Sequence, residues 1–522
     1  MAEMAIAAVA QPPVRSGALN LPLAVALGAG GGLLVSCAHP PLALWPAAPL
    51  GMAAFALAVV RAPHASAATV AGLAFGCGLW LPVLGWLYTG VRSDDAPLLA
   101  WGMPSALIGS LVCAGALAAR LAWTLRAHTV AAMLLLTALW VALEWSRQFG
   151  AFRFPWARLG YTQIDGPLAG FAPLVGVLGV GALAIVLGSA LALAVLARRP
   201  VARLGWVAVA AAILLGGNGL QRIEWTRDSQ RSVAVAALQG AFAYQDKFDA
   251  EAVSAALELY GRFALESAAQ VSIVPETALP VFEHQLPASY LAQIHDRART
   301  QGRDVLLGLF RVADVKPAAA APAHYNSARI LGTSGAQNYD KRILLPFGEY
   351  VPAARWLRPW FERIASVPML DTAAGTDTEA ALWLGGERIA LRLCFEDLFG
   401  GFARAEAALA GYLVVLANDS WDGSTLPMQQ HLQVARMRAL EAQKPLVRVA
   451  NTGWSGLIGA DGRLLHSAPS DERAELRFDV RPRHGATPYL RHGDLPVLAA
   501  VALALLYCAA AGRALKLHAR AA

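Results

Sequence analysis

Long uncharged runs and one mixed segment divide this chain. Between Ser16 and Val60 there is no Asp, Glu, Lys or Arg. That stretch is long enough for two helical spans of about 20 residues each, broken at His39-Pro40-Pro41. Apolar runs at about 65–91, 97–119, 129–146, 168–197 and 201–219 follow, and one more at about 493–511 precedes Arg513, Lys516 and Arg520. The pattern predicts eight spans: a bundle of seven transmembrane helices over 1–220 and a last helix with a basic tail over 491–522. Residues 221–490 between them have the composition of a water-facing domain.

Within that domain the period changes. Val233–Leu238, Val271–Val274, Val305–Leu309, Ile389–Cys394 and Tyr412–Ala417 are short, nearly continuous apolar runs, which read as buried strands. Ala250–Ala268 places Val253, Leu257, Tyr260 and Phe263 at helical spacing, and Met428–Ala442 reads as a second helix. Alternating strands and helices predict an α/β sheet domain. The Ala/Pro stretch Pro317–Ala323 reads as a surface loop.

Composition agrees with the pattern. Of 522 residues, 57% are hydrophobic and only 15% charged, against about 25% charged in soluble proteins. The mean hydropathy is +0.46. A purely soluble protein and a disordered one are both excluded. The net charge of +7 would fit nucleic acid, but many of the arginines sit between apolar runs. Arg15, Arg61, Arg120, Arg126, Arg198, Arg199, Arg203 and the basic tail fall on one predicted side. The positive-inside rule makes that side cytoplasmic and puts the mixed domain on the outer face. Arg147, Arg153 and Arg158 lie on the other side and break the pattern. No nucleic-acid partner is expected. Cys37, Cys77, Cys113 and Cys508 fall in apolar spans, where a small thiol is filling. Cys394 stands alone in the mixed domain, so no disulfide forms there. HExxH, CxxC and Walker A patterns are missing from the sequence, so neither a metal nor a nucleotide cofactor is expected.

Three strand-like runs stop at a polar group: VSIVPE at Glu276, IALRLCFED at Cys394 and then Glu396, and YLVVLANDSW at Asn418, Asp419 and Ser420. Strand ends are where α/β domains hold their sites. Lys341 adds a cation in the polar run before LLPFGEY. Taken singly, each has a bland reading: a buried thiol, a solvated lysine, a glutamate ending a strand. Taken together they make an acyl-transfer set, with a thiol nucleophile, a carboxylate to take its proton and an ammonium for the oxyanion. Asp419 and Asp422 read as turn residues. Glu144, near a span end, is either a functional carboxylate or a solvated one. Trp80, Trp86, Trp101, Trp140 and Trp145 read as interface anchors or bundle packing. Trp356, Leu357, Trp360, Phe361 and Ile364 recur at helical spacing, as a core helix or an interfacial arm over the site.

Glu276 in VPETALP, Lys341 in YDKRILLPFGEYVP and Cys394 in LCFED resemble the Glu-Lys-Cys triad of the nitrilase superfamily. The segments NDSW, QQHLQVARMRALE, NTGWSG and FPWARLGYTQIDGP, with the order of seven spans, domain and one span, resemble its membrane-bound apolipoprotein N-acyltransferase branch. The resemblance implies a nitrilase-like αββα sandwich on a multi-span helical bundle. It implies ping-pong transfer of an acyl chain from a phospholipid, through a thioester on the cysteine, to the amine of a diacylglyceryl-cysteine apolipoprotein. In this pattern Glu276 is the base, Lys341 the oxyanion partner and Cys394 the nucleophile, with Glu349 and Glu396 in support. Asn326 and Arg358 match polar positions lining the site, and Trp156 a membrane-face position near the lipid entrance. Phe248 and Phe395 stand where relatives often carry Trp and Tyr. The implied location is the bacterial inner membrane with the catalytic domain periplasmic, and a monomer is expected because the spans can bury one another. The rival readings are a membrane-tethered hydrolase of small amides using the same triad, and a transporter with a regulatory domain.

Overall fold

The computed structural model describes residues 18–89, 97–243, 248–312, 323–352, 372–376, 381–419 and 424–521. Helices in the N-terminal part follow the uncharged runs: α1 (Leu21–Ala38), α2 (Ala47–Val60), α3 (Ala65–Leu84), α4 (Pro97–Thr124), α5 (Thr129–Ser146), α6 (Ala172–Leu196) and α7 (Pro200–Leu220). Seven helices among the described residues are long and apolar enough to cross a membrane, counting the C-terminal one. The exception is α2, whose 14 residues reach only about 21 Å at ~1.5 Å per residue, less than the ~30 Å hydrocarbon layer.

Small residues let these helices approach closely, the usual solution where lipid removes the hydrophobic drive between spans. At Gly32 of α1 a Cβ would lie 2.1 Å from the carbonyl oxygen of Phe75 on α3. Trp80, Trp86 and Trp140 are buried packing, whereas Trp101 is exposed on the outside of α4. Glu144 is not solvated. It is buried, and one carboxylate oxygen accepts from the Trp140 indole at 2.9 Å and the Leu159 amide at 2.8 Å. It thereby ties α5 to the turn that begins at Leu159. At Gly176 (φ 63°) α6 breaks and restarts.

The mixed segment opens with β1 (Arg227–Asp228) and continues through β2 (Val233–Gln239), α8 (Ala250–Glu266), β3 (Val271–Ile273), β4 (Leu279–Phe282), α9 (Tyr290–Thr300), β5 (Asp304–Val312), β6 (His324–Gly332) and β7 (Gln337–Asp340). Then come β8 (Leu382–Leu384), β9 (Glu387–Leu393), α10 (Arg404–Leu409), β10 (Tyr412–Ala417), α11 (Thr425–Ala442), β11 (Leu446–Ala450), β12 (Gly456–Ile458), β13 (Leu464–Ser467), β14 (Ala474–Val480), β15 (Arg483–His484), α12 (Pro488–His492) and the C-terminal helix α13 (Leu495–Ala521). One sheet runs β14-β2-β3-β5-β6-β7 with β4 beside β5, and the other β13-β12-β11-β10-β9-β8. β2, β3 and β5 are parallel in the first sheet, as are β9, β10 and β11 in the second.

Strand alternation makes the layers. Val233, Val235 and Ala237 face Ile389, Leu391, Leu393, Tyr412, Val414 and Leu416 in one core between the sheets. Ala236 and Leu238 turn the other way, onto Tyr260 and Phe263 of α8. Leu413 and Val415 turn onto Ala435 and Ala439 of α11. The result is an αββα sandwich. The helices read at Ala250–Ala268 and Met428–Ala442 are present with shifted ends, and the Ala/Pro loop and the aromatic run Trp356–Ile364 lie outside the described residues, apart from Ala323.

Sandwich and bundle share an apolar core. Phe395, Leu398 and Phe399, just after β9, and Val434, Met437 and Leu440 of α11 pack in one cluster with residues of α2 to α7. Polar pins cross the same seam. Gln430 of α11 accepts from the indoles of Trp156 (2.6 Å) and Trp86 (3.1 Å) and donates to the Val83 carbonyl at 2.9 Å. Glu441 accepts from the Val177 amide at 2.7 Å, where α6 restarts. Gly32→Val should destabilise the bundle by about 1–3 kcal/mol, the usual cost of overpacking, because the Phe75 backbone cannot step aside. A lowered thermal midpoint in detergent would record it, whereas an unchanged midpoint would refute the α1–α3 contact.

Candidate active site

Four strand ends deliver the polar groups. Glu276 lies three residues past β3, Lys341 immediately past β7, Cys394 immediately past β9 and Asp419 two past β10. Gly308 of β5 lets the Glu276 segment lie against it: a Cβ there would be 2.4 Å from the Pro275 oxygen and 2.8 Å from the Glu276 Cα. Cys394 adopts φ 48°, a left-handed conformation that costs a non-glycine residue of order 1–3 kcal/mol. A 3-10 turn, Cys394–Leu398, follows at once. The strand therefore stops abruptly at the sulfur.

Lys341, Glu276, Glu349 and Asn326 form one hydrogen-bonded cluster. The Lys341 Nζ lies 3.0 Å from Glu276 Oε1 and 2.9 Å from Glu349 Oε1. Asn326 Nδ2 donates to the same two oxygens at 2.7 and 2.9 Å, while its Oδ1 is buried with no hydrogen-bond partner among the described residues. The Lys341 amide donates to the Asn326 carbonyl at 2.8 Å. Glu349 is steadied in turn by the Leu345 amide. Burial pushes the ammonium's pKa down, but Glu276, Glu349 and Cys394 outweigh it and hold Lys341 well above the ordinary lysine range. For the Cys394 thiol, burial pushes the pKa up and Glu276 adds to it. Lys341 opposes them, and the thiol remains well above its usual range. The surroundings of Cys394 therefore favour the neutral thiol over the thiolate.

Glu396 has a different position. Its carboxylate accepts from the Leu393 amide (2.8 Å), the Tyr339 hydroxyl (2.7 Å) and the Arg342 and Ile343 amides (2.6 and 3.1 Å). Burial raises its pKa while those donors pull it back. It fastens the turn at Cys394 to the segment that follows Lys341. Phe395 is buried, 6.3 Å from the Phe154 ring and 5.3 Å from Phe399. Trp156 is sealed at the seam, 1% exposed, and stacks on Phe154. Phe248 is exposed on the approach to α8. Arg358 lies outside the described residues.

Reading Asp419 as a turn residue missed its role. It is buried and ion-paired with Arg448 of β11, and accepts from Nδ1 of His431 on α11 at 2.8 Å. Burial works against the carboxylate, but Arg448 and His431 overcome this and lower its pKa. Donor atoms of Cys394, Asp419 and His431 lie within 4.8 Å of one another. Two cationic or donor groups already occupy the Asp419 carboxylate, so the cluster reads as an ion-pair node beside the sulfur rather than a cation cradle. The separations of 12 and 29 residues left no local signal for it.

Two family profiles match: the apolipoprotein N-acyltransferase N-terminal domain over residues 31–191 and the carbon-nitrogen hydrolase over residues 233–480. The apolipoprotein N-acyltransferase of Ralstonia nicotianae is 35% identical over 93% of this chain and 92% of its own. That of Azotobacter vinelandii is 37% identical over 92% and 93%. The chain belongs to the apolipoprotein N-acyltransferase family. Among solved structures, the carbon-nitrogen hydrolase of Helicobacter pylori G27 covers 48% of this chain and 88% of its own, at 16% identity and a TM-score of 0.34. Family membership and the apolar helices together make this a multi-pass membrane protein with a nitrilase-like domain.

The electrostatics give a sign test. Glu276→Gln removes a charge that opposes the thiolate, so the pH midpoint of Cys394 alkylation should fall. Lys341→Met removes the charge that favours it, so the midpoint should rise. Iodoacetamide labelling followed by mass spectrometry of the Cys394 peptide reads both, and shifts in the same direction would refute the assignment of charges.

Proposed function

We propose that this protein is an apolipoprotein N-acyltransferase that works by ping-pong chemistry at Cys394. Glu276 takes the thiol proton, and the sulfur attacks the ester carbonyl of a phospholipid. Lys341 faces the oxyanion of the tetrahedral intermediate. As the intermediate collapses, the C–O bond breaks and the proton on Glu276 goes to the departing alkoxide of the lysophospholipid. The α-amine of a diacylglyceryl-cysteine apolipoprotein then attacks the thioester. Glu276 takes a proton from the amine, the C–S bond breaks and the thiolate recovers its proton.

Glu349 and Asn326 hold Glu276 and Lys341 in place, and the unpartnered Oδ1 of Asn326 is free to accept from a substrate N–H. Glu396 fixes the nucleophile turn. Phe395 and Trp156 belong to the lipid side of the site, and Phe248 to its exposed approach; Arg358 is carried over from the family pattern as a polar substrate-binding residue. Residues 1–220 form the bundle with α2 as its short span, 221–490 the catalytic domain and 491–522 the last span and tail. Arginine placement supports a cytoplasmic N-terminus, which puts the catalytic domain on the periplasmic side of the inner membrane. The protein is read as a monomer, its apolar helix faces that the bundle leaves exposed, such as Leu204 and Leu215 of α7, turned to lipid.

One observation carries the reading. The turn that starts at the thiol continues, within five residues, into side chains of the membrane bundle's core. A hydrolase of small amides has no need of that arrangement. Staying in the bilayer also spares the acyl chain about 0.8 kcal/mol for each CH₂ that would otherwise enter water.

Incubation with phospholipid should leave an acyl mass on the Cys394 peptide, and Cys394→Ser should abolish it. Glu276→Gln should slow acylation by roughly 10²–10⁴-fold, the usual worth of a general base. Lys341→Met should slow it by roughly 10²–10³-fold. Wild-type protein that carries no adduct under thioester-trapping conditions, or that hydrolyses small amides without phospholipid, would overturn the proposal.

A further inference from the structure

Cys394 is faced from several elements. Glu276 beyond β3, Lys341 beyond β7 and Glu349 lie on the side described above. Asp419 beyond β10, with His431 of α11 and Arg448 of β11, forms the other. The second group serves no step of the proposed transfer. Yet all three members are buried to 2% exposure or less, and a carboxylate this near a sulfur opposes the thiolate that the reaction requires.

The hydrogen bonds show how that opposition is contained. A carboxylate on Arg448 can only accept, so the 2.8 Å contact makes His431 Nδ1 the donor. Arg448 approaches the other oxygen and passes 3.2 Å from the same Nδ1. The far nitrogen, Nε2, is buried without a hydrogen-bond partner among the described residues. His431 itself is located from the membrane side. Its ring lies 5.5 Å from that of Trp156, and its neighbour Gln430 holds Trp86, Trp156 and Val83.

We propose that His431 is a positioning residue for the nucleophile: by donating from Nδ1 it holds Asp419 on Arg448, so that the carboxylate's charge is spent before it reaches the Cys394 sulfur. This rests on the reading of Cys394 as the nucleophile. In the reaction the imidazole gains and loses no proton. It sets how readily the thiolate forms, and it is anchored to the same tryptophans that line the lipid side.

The test uses the full-length protein in detergent and reads Cys394 alkylation against pH by peptide mass spectrometry, with no acyl donor present. His431→Ala should move the midpoint upward by roughly one pH unit, with alkylation near neutrality slowed about tenfold. His431→Asn puts an amide N–H close to the Nδ1 position and should restore most of the wild-type profile. His431→Gln puts it near the Nε2 position and should not. In an Asp419→Asn background, where no charge remains to be contained, His431→Ala should leave the midpoint unmoved.

A His431→Ala midpoint equal to wild type would reduce the residue to packing and overturn the proposal. Failure of the Asn variant alongside recovery by the Gln variant would do the same, in favour of a hydrogen bond made through Nε2. Because alkylation needs no lipid, a failed acyl-adduct experiment would sink the proposed function without touching this result.

Discussion

An ammonium buried among strand ends constrains this site more than any other group. Lys341 is 2% exposed, and removing a charge of that kind from water costs several kcal/mol unless close partners compensate. Glu276 and Glu349 are those partners, and Asn326 bridges them. Satisfying one cation therefore fixes where the segments after β3 and β7, a β6 side chain and the loop to Glu349 must meet. The thiol at the end of β9 is then placed in a field already set by its neighbours. Chemistry and stability share the same hydrogen bonds here, so a change at any member affects both.

The seam between bundle and sandwich extends this constraint to the membrane. Aromatic contacts lead from the turn after Cys394 through the half-buried Phe154 to Trp156 and Trp86. Across the same surface, α11 pins itself to helix ends through Gln430 and Glu441. Cys394 is consequently positioned by two scaffolds at once, and its φ of 48° is held by packing on both.

Much of this architecture was legible in the sequence because its causes are local. Tyr412–Ala417 is six buried apolar residues in a row and could only be an interior strand. Uncharged runs gave the bundle helices, although α2 proved shorter than a full span because the turn at residues 39–46 consumes part of the run. The Asp419–His431–Arg448 node was hidden for a physical reason. α11 is covered by the sheet on one face and the bundle on the other, so His431, Arg438 and Glu441 are buried beside apolar neighbours. Periodicity cannot separate a polar residue paired in the interior from one that faces water. Glu144 was ambiguous on the same grounds, and only its two donors decide it.

The interruption of α6 has a consequence for the order of assembly. Its second half begins with the Val177 amide, whose acceptor, Glu441, lies 264 residues later. A ribosome supplies the donor long before the acceptor exists. Until the sandwich has been translated, folded and seated, the newborn helix carries an unsatisfied N–H at its break, where an unpaired polar group is expensive. Completion of the membrane half thus waits on the half outside it, and neither can be regarded as a finished module alone.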